Sequence, residues 1–520
     1  MIELKKQNVH MNQLKLQKTT QISVDEDVIL PEVKPDMTTL IVNQGDVEIT
    51  SATSQTGKLL IKGKLLYSFL YNGPEGLHSV QGECILEDTI NLEGASQGDS
   101  ISLDWDLEDL QIAPVNERKY SVKAVITLQI AMEQLTDQET ATDLTQTDLE
   151  YEKKPLEVTE IVVQKKDIYR IKDEIELGEN KPDIGQILWE SVTVQGLENR
   201  LLADQIAVSG ELVVFIMYQP SGIRLPMQWL ETTIPFRGMI EVDGCSEEMI
   251  PQIAVRLGHK QIEPKADNDG ELRIFSLDAV LDLDIKIYQE IHIEILSDLY
   301  STKQLVEPVR QDGHYESLLV KNGSKCKLQK RLSVAEEAVQ IMQICNVKGI
   351  PKVEEITVVE DGLQVEGILA ATVLYISGND ENPLQSVEKI IPFSYTITVP
   401  GIAKDSVYFL HPGMESITAN MISMDEMEIR GVVSLDTLVF SQVTEAVITD
   451  VTQWEFDLEQ MEELPCIVGH RVQGGESLWE IAKANFTKIK TIMEINGLTS
   501  EKVEPGQKII IVKEAYSMVK

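Results

Sequence analysis

Three stretches of this chain repeat one pattern, and the repetition limits its possible folds more than any other feature. They read IKGKLLYSFLY at Ile61–Tyr71, VSGELVVFIMY at Val208–Tyr218 and VEGILAATVLY at Val365–Tyr375. In each, a glycine precedes a tyrosine by eight residues: Gly63 and Tyr71, Gly210 and Tyr218, Gly367 and Tyr375. Alternate residues are mostly apolar. Ile61, Leu65, Tyr67, Phe69 and Tyr71 share one face, as do Val208, Leu212, Val214, Ile216 and Tyr218, and Val365, Leu369, Ala371, Val373 and Tyr375. A period of two marks a β-strand with one buried face. A glycine on that face points to a bend or to the close approach of another backbone.

The register extends in both directions. LPEVKPDM at Leu30–Met37 matches LGENKPDI at Leu177–Ile184, and the spacing from Asp36 to Gly63 equals that from Asp183 to Gly210. The third copy has lost Lys-Pro-Asp. The same spacing counted back from Gly367 reaches Gln340, although Ile341 and Ile344 still match Ile184 and Ile187. We read Lys34-Pro35-Asp36 and Lys181-Pro182-Asp183 as turns, because proline fixes φ and aspartate bonds nearby amides; the alternative is a contact point between repeats or subunits. Downstream, IPF recurs at Ile234–Phe236 and Ile391–Phe393, and later alternating runs (Tyr120–Ile130, Leu272–Ile287, Met427–Phe440) close each unit. The period, from Gly63 to Gly210 to Gly367, far exceeds a solenoid repeat. The expectation is therefore three separate beads, each a β-sandwich of Greek-key type with its own core.

Composition excludes several functions. Among 520 residues, 85 Asp and Glu outweigh 46 Lys and Arg, a net charge of -39. Such a surface repels nucleic acid and anionic lipid. The charge is uneven: residues 466–520 carry a net of +2 and the rest -41, a step that marks a domain boundary. Five scattered cysteines (Cys84, Cys245, Cys326, Cys345 and Cys466) form no CxxC pair and suit a reducing compartment. The first twenty residues lack an apolar core of signal-peptide length. The longest apolar run, Leu212–Tyr218, falls far short of the ~20 residues a membrane helix needs. Phosphate-binding loops, nucleophile elbows and zinc-protease motifs do not appear, and the seven histidines form no local pair. The reading is a non-enzymatic protein without catalytic residues, metal site or cofactor.

Ser441–Leu464 holds seven acidic residues and no basic one, which suggests an extended linker, with Thr449–Leu458 as an alternative last strand. Beyond it, His470–Val472 reads as a short strand. Ser477 to Glu480 is a capping box opening a helix. A second helix ends at Asn496-Gly497. Pro505-Gly506 is a turn before a closing strand at Lys508–Val512, giving β-α-α-β in under fifty residues. The spacing of Val472, Gly475, Glu476, Ser477, Leu478, Trp479, Ile481 and Ala482, then Ile495–Leu498 and Pro505–Ile509, resembles the LysM family. That resemblance implies a shallow groove for N-acetylglucosamine polymers such as peptidoglycan or chitin. Gly475, Glu476, Ser477 and Leu478 would form one side, and Asn496, Gly497 and Leu498 the other.

The repeats, with Lys-Pro-Asp, the Gly-to-Tyr strand and IPF, resemble the SPOCS domain of spore-forming Firmicutes. Three such repeats before a LysM resemble the SipL family of clostridia. The expected organisation is an N-terminal extension (1–20), SPOCS repeats at 21–150, 160–300 and 320–445, an acidic linker or final strand (446–465) and the LysM domain (466–515). The resemblance implies a spore coat scaffold in the mother-cell cytoplasm at the forespore surface. Its LysM would bind stage IV sporulation protein A, the coat basement-layer ATPase. Its SPOCS repeats would contact other coat proteins or further copies of the chain. The alternatives are a peptidoglycan-binding wall or cortex protein and a self-assembling lattice protein of the spore surface.

Overall fold

The computed structural model describes residues 2–74, 76–96, 100–146, 149–222, 226–334, 340–379, 382–455 and 465–513. The first repeat runs through β1 (Leu4–Ile29), β2 (Thr39–Gln55), β3 (Lys58–Gly73), β4 (Gly76–Asn91), β5 (Ser100–Asn116) and β6 (Lys119–Leu144). β2, β3 and β4 form a meander. It packs against a second sheet in which β6 lies between β1 and β5. The second repeat has the same order in β7 (Leu149–Glu176), β8 (Ile184–Leu202), β9 (Gln205–Pro220), β10 (Gln228–Glu241), β11 (Ile250–Ala266) and β12 (Leu272–Ser301). The third has it in β13 (Leu305–Ser333), β14 (Ile341–Val359), β15 (Gly362–Ser377), β16 (Leu384–Thr398), β17 (Val407–Met421) and β18 (Glu426–Trp454). The sandwich expectation holds, but the topology is a meander with a crossover rather than a Greek key. The fifth strand crosses to the other sheet because it is the hairpin partner of the sixth.

The repeated strands are β3, β9 and β15, each central in its meander. Every residue assigned to their inward faces is buried, all but Tyr67 completely. The repeat glycine lies beside a bulge in the preceding strand, where the register slips near Ile49, Gln195 and Val353. There the neighbouring backbone comes so close that a Cβ on Gly63 would lie 2.4 Å from the Glu48 carbonyl oxygen, and one on Gly367 would lie 2.3 Å from that of Lys352. A side chain at either position would break the ladder at its bend, whereas at Gly210 a Cβ would meet the Phe236 ring at 2.9 Å.

The Lys-Pro-Asp segments are clamped turns. The Tyr71 hydroxyl donates to the Pro35 carbonyl and the Tyr218 hydroxyl to that of Pro182, both at 2.9 Å. Arg118 bonds the Asp36 carboxylate and the carbonyls of Leu30, Pro31 and Lys34. Arg273 does the same with Asp183, Lys181 and Gly178. The carbonyls of Arg118, Arg273 and Asp425 receive equivalent amides from Leu30, Leu177 and Val334. The third repeat has therefore lost the arginine together with the motif it holds. Residues 335–339, where the third turn would lie, are outside the described residues.

The repeats are not separate beads. Their first and last strands overrun the sandwiches and pair as three two-stranded ribbons: Leu4–Leu14 with Glu133–Leu144, Leu149–Ile161 with Tyr288–Ser301, and Leu305–Leu318 with Phe440–Trp454. Residues 4–20, read as an extension, thus form part of β1. Residues 446–454 continue β18, whereas 456–464 lie outside the described residues. The ribbons share one apolar core, in which Val9, Leu156, Val158, Ile295, Tyr315 and Val447 pack together. Farther along, Ala141, Leu144, Leu296, Leu299 and Ile448 do the same. At the other end the meanders meet through Leu70, Met217 and Leu374, each at the same position past its repeat glycine. The result is a pseudo-threefold body.

A buried ion pair joins two of the repeats. Lys286 of β12 reaches both carboxylate oxygens of Glu133 on β6, at 2.6 and 2.7 Å, and both side chains are buried. Asn12 adds a hydrogen bond of 2.7 Å to the carboxylate. Lys286→Met would strand the Glu133 charge between two repeats. It is expected to cost about 3–5 kcal/mol, read as a lower midpoint in scanning calorimetry. Lys62→Met, which removes the exposed pair with Glu87, is expected to cost less than about 1 kcal/mol.

Candidate functional site

The C-terminal module folds as β19 (Ile467–Arg471), α1 (Leu478–Ala484), α2 (Ile489–Asn496) and β20 (Lys508–Val512), with β19 and β20 paired antiparallel. Its small core gathers Val472, Leu478, Ile481, Ala482, Ile492 and Ile509. The capping box is present. Ser477 Oγ accepts the Glu480 amide at 3.1 Å, and the Glu480 carboxylate accepts the Ser477 amide at 2.9 Å. Gly497, at φ 63°, ends α2 in the left-handed conformation.

Most of the seven groove residues have structural duties. Leu478 is buried, and Leu498 packs against the same core. Asn496 ties α2 to β20: its Nδ2 donates to the Ile492 and Ile510 carbonyls, and its Oδ1 accepts the Ile510 amide at 2.7 Å. Glu476 accepts from the Gln473 amide at 2.8 Å and meets His470 Nε2 at 2.9 Å. These contacts, the Gln473 amide foremost, hold its carboxyl below the usual range. Gly475, Ser477 and Gly497 remain exposed, and a Cβ on either glycine would meet only open space. The loops therefore present a shallow surface of backbone and small side chains. It suits hydrogen bonding to a sugar or peptide.

The sequence reading missed how the module is held. Tyr300, near the end of β12, is buried in the module's core, and its hydroxyl donates to the Thr487 carbonyl at 2.8 Å. Its ring meets the Trp479 ring edge-on at 4.9 Å. Asp298 accepts the Trp479 indole N–H at 2.8 Å, and its two oxygens take Lys483 at 2.7 Å each. Arg310 adds a bond of 2.7 Å from β13. Trp479 is thus a contact between module and repeats. A signal for this contact lies in the repeats. Asp143-Leu144-Thr145, Asp298-Leu299-Tyr300 and Asp450-Val451-Thr452 occupy corresponding ribbon ends, and tyrosine replaces threonine only in the second. The first and third of these aspartates accept the amide of the next residue.

Comparison with family models now gives the chain its place. A SipL model, described as the SPOCS domain, matches residues 36–115, 183–265 and 340–422, and a LysM model matches 470–512. The chain is built from SipL-family SPOCS domains and a LysM domain. The SPOCS matches start at Asp36, Asp183 and Gln340, which occupy the same position ahead of Gly63, Gly210 and Gly367. They cover the meander and fifth strand of each unit and leave the framing ribbon strands outside. No curated protein and no solved structure matches the chain. The SipL and LysM families are non-catalytic binding domains, and together they fit a sporulation protein with a peptidoglycan-binding-like LysM. Among the described residues no helix is long and apolar enough to cross a membrane, and no cluster of metal-ligating side chains appears.

Asp298→Ala is expected to free the LysM domain. Hydrogen exchange in α1 and α2 should accelerate while β3, β9 and β15 keep their protection. Acid should act similarly. Burial pushes the Asp298 carboxyl up, but the bonds from Lys483 and Trp479 pull harder and leave it below the usual value. A lowered folded pKa means the contribution is complete above ~4 and is lost as the pH falls through the lowered value. The same exchange measurement across that range checks it.

Proposed function

We propose that this chain is a non-enzymatic scaffold of spore morphogenesis acting in the mother-cell cytoplasm at the forespore surface. Its LysM domain binds stage IV sporulation protein A, the coat basement-layer ATPase, and its SPOCS domains contact other coat proteins. The observation that carries this reading is the LysM domain clasped by Asp298 and Tyr300, with Gly475, Ser477 and Gly497 left exposed. A fixed orientation removes part of the entropic cost of binding a large partner. The contact surface would comprise Gly475, Glu476, Ser477, Leu478, Asn496, Gly497 and Leu498. Several linked modules on one body would add avidity.

The full chain, and a chain lacking residues 466–520, should be tested against immobilised ATPase and insoluble peptidoglycan. The expected result is retention of the full chain on the ATPase alone and loss of that retention without the LysM domain. Retention on peptidoglycan alone would make the protein a wall or cortex binder and sink the coat reading. The apolar ribbon faces are already covered within one chain, so the purified protein is expected to remain a monomer or small oligomer. Partner-free sheets in electron micrographs would favour the lattice alternative instead.

A further inference from the structure

The repeats meet at three related junctions. In each, the fourth strand of one unit faces the second strand of the next: β4 faces β8, β10 faces β14, and β16 faces β2. Between β10 and β14, Asn346 Nδ2 donates to the Glu231 carboxylate at 2.8 Å. Between β16 and β2, Ser386 Oγ donates to the Ile41 carbonyl at 2.6 Å. The junction of β4 and β8 differs. Gln81 corresponds to Glu231, since each pairs with the fifth residue after its repeat glycine. Trp189 corresponds to Asn346, since the spacing from Trp189 to Gly210 equals that from Asn346 to Gly367. Instead of bonding, Gln81 and Trp189 line an open cleft of about 540 Å³.

Its chemistry is specific. Leu66, Ile187 and Leu257, all half-buried, give it an apolar wall, with the buried Leu188 and Trp189 behind it and Glu190 beside them. The lysines that also line it are engaged: Lys64 pairs with Glu83 at 2.9 Å and Lys260 with Asp46 at 2.7 Å. Among the described residues no cation lies within ion-pair distance of Glu190. Burial raises its carboxyl above the usual range, and Lys260 offsets this only in part.

We infer that this cleft is a docking socket for an arginine or lysine side chain carried on a basic segment of a partner protein. The apolar wall takes the methylene stem, and Glu190 takes the charged head in a charge-assisted hydrogen bond. The -41 charge of residues 1–465 draws such a segment in and repels acidic ones. The inference is independent of what the LysM domain binds.

The test uses the full chain and a fluorescent Gly-Arg-Gly-Arg-Gly peptide in about 0.15 M salt, which screens distant charges. Anisotropy should show Glu190→Gln binding at least about tenfold more weakly than the parent, with the citrulline peptide failing on both. Glu190→Gln removes a charge that folding disfavours, so it is expected to melt no lower than the parent at pH 7. Gln81→Arg, which supplies the cleft with a guanidinium of the chain's own, should also abolish binding. Undiminished binding by either variant overturns the proposal. So does an equal loss in Glu157→Gln, whose carboxylate is exposed on the ribbon of the second repeat and does not line the cleft, because the peptide would then be reading bulk charge.

Discussion

An apolar ribbon face that no single repeat can cover sets the architecture of this protein. Each unit has enough strand to close a sandwich, and its first and last strands then run on well past it. One side of each overrun is apolar. A two-stranded ribbon alone is marginal in water, and three such faces become stable only by turning inward on each other. The shared core of Val9, Leu156, Ile295, Tyr315 and Val447 is the outcome. The buried hydrogen bond between Tyr315 and Thr140, 2.6 Å across the third and first repeats, belongs to the same layer. Separate beads would expose these surfaces, so the tandem order becomes a closed three-lobed body.

Closure allows the repeats to diverge. Three copies around a pseudo-threefold axis hold equivalent positions, and each position can be reused once. Where the ends of the first and last ribbons carry Thr145 and Thr452, the end of the second carries Tyr300, which enters the LysM core. Where the first two units clamp a Lys-Pro-Asp turn with arginine, the third has Asp425 in place of the arginine. Where two junctions bond directly between fourth and second strands, the other opens around Trp189 and Glu190 and is crossed instead from β2, by Gln44 to the Glu190 carbonyl and by Asp46 to Lys260. The Glu133–Lys286 pair also occurs at a single seam. Such a pair adds less to stability than well-packed apolar groups, but it penalises any register that would separate the charges.

Much of the β pattern was legible because its cause is local. A strand with one dry face must alternate, so Ile61 to Tyr71 and its two relatives announced their inward residues without error. The repeat glycine was equally readable, since a bend beside a bulge leaves no room for a Cβ. The LysM helices showed themselves through Ser477, Glu480 and Gly497, whose capping roles depend on neighbours a turn away. The arginine clamp was harder to see, because Arg118 is far from Asp36 in the chain. Nothing near Asp298 or Tyr300 announces that a helix in the last domain of the chain will rest on them. Only comparison among the three ribbon ends makes the tyrosine stand out.

The sequence alone determined the number of units, their β character, the inward face of each central strand and the β-α-α-β module at the end. Periodicity, capping and turn chemistry act over a few residues and are written in adjacent letters. Tertiary structure decided the rest: the closure of the units around one axis, the seat of the LysM domain on Asp298 and Tyr300, the part each groove residue plays in holding its loops, and the cleft at one junction. Those features arise from contacts between surfaces far apart in the chain, where the deciding quantity is which apolar faces and charges remain uncovered after each unit has folded.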